Sequence, residues 1–411
     1  MATKLHKKRA ATRRAAANTP RARDLRDPAA EMDALLREIT AGRTRKIAVF
    51  LGAGASKIFG YPLTSELMGR IFGNVARRGA SRGGAGDSRR QLIALMDALL
   101  PGKRRKREIV PTVTSVLSLL DFSLMTGQAL LPSVTIDQTR RARQGLQYEV
   151  LKAIPDDELF EDDEVAAFTT FCGWLAALKK PGSAANVAII TTNYDMLSDV
   201  AAMELARVRG DFLKWDVDDL ARKIDFGFRW VHPHNPEETF LPRPRRPGIA
   251  LYKLHGSTNW LRCPLCENVY INPNGPIGWL GSSPKSVANL CHCSETQLEA
   301  QIVSPSFVRE LREPNVVAIW KSALDFLREA EHWVIIGYSF PDEDVAIRAL
   351  FTRAFGSRYE RPRVSVVQLD EKARVNYASF FPADSLRYVT GGMELLLKRW
   401  ETLQADRRRR R

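Results

Sequence analysis

Four short, almost wholly apolar runs, each ending abruptly in small or polar residues, constrain this chain more than anything else in it. They are Lys46 to Leu51 before Gly52-Ala53-Gly54-Ala55-Ser56, Val187 to Ile190 before Thr191-Thr192-Asn193-Tyr194-Asp195, Ile249 to Leu254 before His255-Gly256-Ser257, and Trp333 to Ile336 before Gly337-Tyr338-Ser339-Phe340. Apolar runs of this length without alternation fit strands buried on both faces of a parallel sheet. A fifth run, Val364 to Leu369, ends at Asp370. Helical segments between the runs complete the order strand, turn, helix, so the expected fold class is α/β with a doubly wound parallel sheet. In such sheets ligands bind in the crevice at the carboxyl ends of the strands, so residues far apart in sequence are expected to share one pocket.

The rest of the chain divides around this sheet. Asp27-Pro28 leads into a predicted helix over residues 29 to 41. From Thr64 to about Lys180 the pattern is helical, with Leu67, Met68, Ile71, Phe72 and Val75 on one face and further periodic segments near 89 to 100, 111 to 126 and 162 to 179. Loops at Gly83 to Gly86 and Pro101 to Arg107 interrupt it. The expected organisation is a basic flexible tail over 1–28 and a main domain over 29–400, whose sheet core comes from 44–64, 181–256 and 300–400. A large helical insertion over 65–180, a cysteine module over 257–299 and a basic tail over 401–411 complete it. A short strand at Ile302-Val303 and a helix near 316 to 330 precede the fourth apolar run.

The net charge of +15 over 411 residues suggests a nucleic-acid partner until it is divided along the chain. Residues 1 to 28 hold nine Lys and Arg against two Asp, while Lys103 to Arg107 and Arg407 to Arg411 are wholly basic. These segments account for the whole excess and leave the body nearly neutral. They read as solvated ends and a loop, or as weak, sequence-independent contacts to DNA or RNA. No apolar run reaches the roughly 18 residues of a membrane span, and no apolar stretch follows the Arg-rich start as in a secretory signal. The expected location is the cytoplasm, with an organellar transit peptide as the alternative reading of that start.

Several residues carry candidate chemistry. Gly52 to Ser56 after a buried strand suits a phosphate cradle, although a tight turn without ligand fits as well, since neither the full G-x-G-x-x-G nor a P-loop is present. Asn193 and Asp195, two apart at a strand end, can face a crevice together and orient a ribose, a water or a carboxamide; a helix cap is the plainer reading. His255 carries the side-chain type whose unperturbed charge change falls near neutral pH, which suits proton transfer, though a lone His is usually structural. Cys263-x-x-Cys266 and Cys291-x-Cys293 are spaced almost as in a four-thiolate zinc ribbon, with His292 a possible replacement for one thiolate and free thiols the alternative. Four ligands leave no open position, so the zinc is expected to be structural.

Together these pieces resemble the sirtuin (silent information regulator) family. Its ordered signatures appear as Gly52 to Ser56, Gly60-Tyr61-Pro62, Thr191 to Asp195, His255-Gly256, the four cysteines and Gly337-Tyr338-Ser339. The resemblance covers about residues 46 to 370 without the helical insertion. It implies a Rossmann-like sheet with a zinc-ribbon-like module, and NAD+ bound as substrate by Gly52, Ala53, Gly54, Ala55, Ser56 and Thr192. It further implies that Asn193 and Asp195 face the nicotinamide ribose, that His255 is the catalytic base, and that Gly337 and Ser339 line the phosphate and adenosine side. Asp370 would meet the adenine ribose.

Departures from the protein-deacylating members separate the activities. Where those have Asp-Phe-Arg, Phe-Gly-Glu and Val-x-Pro, this chain has Leu63-Thr64-Ser65, Pro305-Ser306-Phe307-Val308 and Phe340-Pro341-Asp342. The Gly-Tyr-Ser-Phe form with a helical insertion is similar to the sirtuin-like proteins of prokaryotic antiphage defence, which implies NAD+ hydrolysis by an abortive-infection effector. A protein-lysine deacylase, or a non-catalytic module binding NAD, ADP-ribose or DNA, are the alternatives. The same resemblance implies homo-oligomers and a defence partner such as a DNA-translocating ATPase or a short Argonaute.

Overall fold

A computed structural model of the chain describes residues 27–42, 45–77, 98, 111–154, 162–180, 185–210, 215–233, 240–275, 290–293, 296–303, 313–357 and 359–410. The basic runs before residue 27 and at 103–107, the expected helix near 89–100 apart from Ala98, and Pro305 to Val308 lie outside the described residues.

Seven parallel strands form the central sheet: β1 (Ile47–Leu51), β2 (Val187–Thr191), β3 (Ile224–Asp225), β4 (Ile249–Lys253), β5 (His332–Ile336), β6 (Arg363–Gln368) and β7 (Leu386–Thr390). Their spatial order is β7-β6-β5-β1-β2-β4-β3. Every residue of β1, β2, β4 and β5 is buried, which requires cover on both faces and explains why these runs lack alternation. The chain winds from β1 through β2 and β4 to one side, then returns to place β5, β6 and β7 on the other. The winding therefore reverses beside β1, between it and β5, where open α/β sheets form their ligand crevice. The expected doubly wound parallel sheet is the observed one.

Helices supply the cover. In α1 (Pro28–Thr40) the Asp27 carboxylate accepts the Ala29 N–H, Pro28 opens the first turn, and Met32, Leu35, Leu36 and Ile39 form the buried stripe. The other long helices among the described residues are α2 (Thr64–Arg77), α3 (Val113–Thr126), α4 (Ile136–Ala153), α5 (Asp162–Leu178), α6 (Leu197–Ala206), α7 (Pro314–Glu329), α8 (Val345–Gly356) and α9 (Gly392–Arg409). Helices α1, α5 and α9 pack together, tied by the two-pronged Arg399–Asp33 pair at 2.7 and 2.6 Å, and α7 packs against α8.

Three expected boundaries move. Helix α5 was expected in the insertion, yet Phe171, Trp174, Leu175 and Leu178 join the main core. The insertion's own core is made by Leu67, Met68 and Ile71 of α2, Val113, Val116, Leu117 and Leu120 of α3, and Leu146, Val150 and Ala153 of α4. Residues 401–409, expected as a tail, continue α9 with Leu403 buried, and Arg407 to Arg409 fall in its last turn, where cations suit the helix dipole. The cysteine module also reaches outside 257–299. Its five-stranded sheet runs Glu299–Ile302, Gly256–Arg262, Val269–Ile271, Trp230–Val231, Phe240–Leu241. Alternation decides its two faces: Trp260, Val269 and Ile271 join the main core, whereas Leu261, Cys263 and Tyr270 build a separate cluster with Cys291 and Leu298.

Candidate functional site

At the carboxyl edge of the sheet the turns after β1 and β5 meet. The Gly52 N–H donates to the Ile336 carbonyl at 2.9 Å and the Gly54 N–H to the Gly337 carbonyl at 2.8 Å. Glycine is required by that approach. A Cβ on Gly52 would stand 2.6 Å from the Tyr338 Cα, and one on Gly337, at φ +64, would stand 2.0 Å from the Ala55 nitrogen. The plainer reading of these glycines, close packing of two turns, therefore holds alongside any ligand role.

A cavity of about 640 Å³ opens beside this junction, and Ala53, Gly54, Thr192, Asn193, Asp195, His255, Gly337 and Ser339 all line it. Eight of the residues singled out from sequence, drawn from four separate strand ends, thus share one pocket. Gly52, Ala55 and Ser56 are buried and do not line it; two of them support Asn193 from behind. Asp370 is not among the lining residues. Its carboxylate accepts the Lys372 N–H at 2.9 Å and pairs with the Lys372 ammonium at 3.1 Å, a local turn that holds the acid below its ordinary pKa. Gln368 and Leu369 line the cavity just before it.

Each central side chain is held. The Asn193 amide nitrogen donates to the Gly52 carbonyl at 3.0 Å and to the Ser56 hydroxyl at 2.9 Å, so β2's turn is locked onto β1's. A carbonyl only accepts, which orients the carboxamide and leaves its oxygen without a hydrogen-bond partner among the described residues. The Asp195 carboxylate accepts the Leu197 N–H at 3.2 Å in a two-residue turn that leads into α6, whose N-cap is Met196 and not Asn193 or Asp195. Burial raises the pKa of Asp195, against the opposing pull of the Lys253 ammonium. His255 Nδ1 lies 3.2 Å from the Thr192 carbonyl. That contact requires hydrogen on Nδ1, which makes Nε2 the basic nitrogen of the neutral ring. Its ring centroid is 6.2 Å from that of Tyr194 and 6.5 Å from that of Trp320.

Two walls of the cavity were not foreseen. Thr64, Leu67, Thr112 and Thr114 place the helical module over the sheet edge, and Gly391 to Glu394 close the end beyond β7. The run Leu386 to Thr390 before Gly391-Gly392 carries the same strand-then-glycine signal as the others, weakened by Arg387 within it. Nothing in the local sequence near Thr112 indicates its place.

The four cysteines gather apart from this cavity, with Sγ atoms all within 4.8 Å of one another. Cys263 and Cys293 are 3.6 Å apart and Cys266 and Cys291 3.5 Å, close to the ~3.8 Å edge expected of a tetrahedron of thiolates around zinc. The Leu265 and Cys266 N–H groups point at Cys263 Sγ from 3.4 and 3.5 Å, as a thiolate requires. Burial works against ionisation of Cys263, yet these two N–H groups leave its pKa below the ordinary thiol value. The donor set fits a structural zinc. His292 stands outside it, 6.4 Å from the Tyr270 ring between centroids. No helix among the described residues is long and apolar enough to cross a membrane.

No protein-family profile and no curated protein matches the chain. Solved structures do. A Sir2 homologue in complex with NAD matches at 14% identity over 91% of this chain and 94% of its own, with a TM-score of 0.41. Sir2 with a p53 peptide and NAD+ matches at 15% identity over 91% and 98%, with a TM-score of 0.39. A structure addressing the mechanism and regulation of Sir2 enzymes matches at 14% over 92% and 99%, with a TM-score of 0.37. With identities this low and TM-scores below 0.5, the likeness leaves the activity of this chain to be argued from its own cavity.

Proposed function

We propose that the chain is an NAD+ glycohydrolase, releasing nicotinamide and ADP-ribose. The observation that supports it most is the meeting of the glycine turns, Asn193 and His255 on one cavity. The bond from nicotinamide to ribose joins a cationic ring nitrogen to C1′. When it breaks, its electron pair goes to the ring, nicotinamide leaves neutral, and positive charge develops on the sugar. The protein has chiefly to hold the dinucleotide and stabilise that charge. Gly54 and Gly337 lie where a diphosphate approaches backbone, the Asn193 oxygen accepts from the attacking water, and Asp195 binds the carboxamide or a ribose hydroxyl. Water adds its oxygen to C1′ and gives its proton to His255 Nε2. The further assignment to an oligomeric antiphage effector with a protein partner draws on the sequence resemblance.

Purified protein incubated with NAD+ is expected to release nicotinamide and ADP-ribose with or without an acetyl-lysine peptide. Product formed only with peptide, as O-acetyl-ADP-ribose, would make it a deacylase instead. Asn193→Ala and His255→Ala should each lower turnover by at least about 100-fold with the fold retained. Full turnover in both variants would remove the mechanism.

A further inference from the structure

Beneath the cavity lies a lysine that the proposed chemistry does not use. Lys253, the last residue of β4, is fully buried. The sheet register sets it beside Thr191, the last residue of β2. Its ammonium donates to the Asp195 carbonyl at 2.5 Å, to the Ser257 hydroxyl at 2.5 Å, and to the buried Asp199 carboxylate on α6. An ammonium has three hydrogens, and here each has an acceptor.

These acceptors belong to different pieces of the site. Asp195 closes the turn after β2, Asp199 belongs to the helix that follows, and Ser257 lies two residues beyond His255. The two turns are already joined step by step. The Leu254 N–H donates to the Thr191 carbonyl and the Thr258 N–H to the Tyr194 carbonyl, both at 2.9 Å. His255 Nδ1 meets the Thr192 carbonyl, and the Ser257 hydroxyl passes its own hydrogen to the Tyr194 carbonyl at 3.3 Å. Lys253 closes the series at Asp195. Burying an ion pair is a poor route to stability, because desolvation offsets much of the attraction and apolar residues of similar volume do as well. An ion pair retained here calls for another reason, and its geometry supplies one.

We propose that Lys253 is a positioning residue: bound at once to the Asp195 carbonyl, the Asp199 carboxylate and the Ser257 hydroxyl, it fixes the turn carrying Asn193 and Asp195 against the turn carrying His255. Its effect on turnover rests on the NAD+ hydrolase reading; its effect on the two turns does not.

The test separates stability from positioning. Lys253→Met alone strands the Asp199 carboxylate and should lower the melting temperature. Lys253→Met with Asp199→Leu removes both charges and should recover most of that loss. In this double variant, amide hydrogen exchange in peptides spanning 191–199 and 253–260 should still be about tenfold faster than in the native chain, with other peptides unchanged. The kcat for NAD+ should fall at least about tenfold while KM stays within about threefold, since the glycine turns are untouched. Ser257→Ala, which keeps the ion pair, should give a smaller acceleration in the same peptides, and it decides the matter should the double variant not fold. Native exchange in both turns of these variants overturns the proposal whatever NAD+ does. Absence of NAD+ turnover in the native chain overturns the hydrolase reading and leaves the exchange result standing.

Discussion

Replacing Gly337 by Ala puts a methyl group where the turns after β1 and β5 touch. The added Cβ would lie 2.0 Å from the Ala55 nitrogen and 2.3 Å from the Gly54 carbonyl carbon, both backbone atoms that cannot rotate away. Relief to an ordinary contact of about 3.4 Å needs the turns to part by about 1.4 Å. That separation breaks the Gly54–Gly337 hydrogen bond of 2.8 Å. The left-handed backbone at φ +64 adds about 1 to 2 kcal/mol for a side-chain-bearing residue, and overpacking adds about 1 to 3 kcal/mol. The expected loss of folding stability is thus about 2 to 5 kcal/mol by urea unfolding. On the proposed function, a shift of about 1 Å at these turns should cost about 100-fold in NAD+ turnover. The series is graded: Gly52→Ala brings its Cβ to 2.6 Å from Tyr338, and Gly54→Ala to 2.9 Å from the Gly337 oxygen, so losses should fall in the order Gly337, Gly52, Gly54. Native stability and turnover in Gly337→Ala, or the reverse order, would refute the argument from close approach.

Other consequences concern the metal and pH. The native chain should hold one zinc per molecule by elemental analysis, and Cys291→Ser should lose it together with protease resistance around 263–271; substoichiometric metal in fresh native protein would contradict the tetrahedral reading. His332, buried in β5 with its Nε2 at 2.8 Å from the Ser365 hydroxyl, has its pKa pushed down by burial to about 4. A base held neutral in the fold and titrating near 6.5 when unfolded contributes stability above about pH 6.5 that is lost as pH falls toward 4, about 3 kcal/mol in all. His332→Gln should therefore flatten the decline in melting temperature between pH 7 and 4.5; an unchanged slope would sink the assignment.

Much of this was legible before any coordinates. The buried strands, their parallel arrangement and the convergence of Asn193, Asp195 and His255 follow from apolar runs that end in polar or glycine turns, because a strand covered on both faces has no polar alternation and parallel strands end on a common edge. The cysteine cluster follows from spacing alone. Periodicity shows that a helix has a buried face but not what it is buried against, which is why α5 was grouped with the insertion although Trp174 belongs to the main core. A charge run likewise does not reveal helix: Arg407 to Arg409 read as a tail, while Leu403 and Trp400 carry α9 through them. Only the tertiary structure put Thr112 over the sheet edge, sent Asp370 away from the cavity into a turn with Lys372, and buried Lys253 beneath both turns. The places of Thr112 and Lys253 depend on contacts between segments distant in the chain, of which local sequence carries no record; the Asp370–Lys372 turn is local, and only the position of that turn relative to the cavity needed the fold.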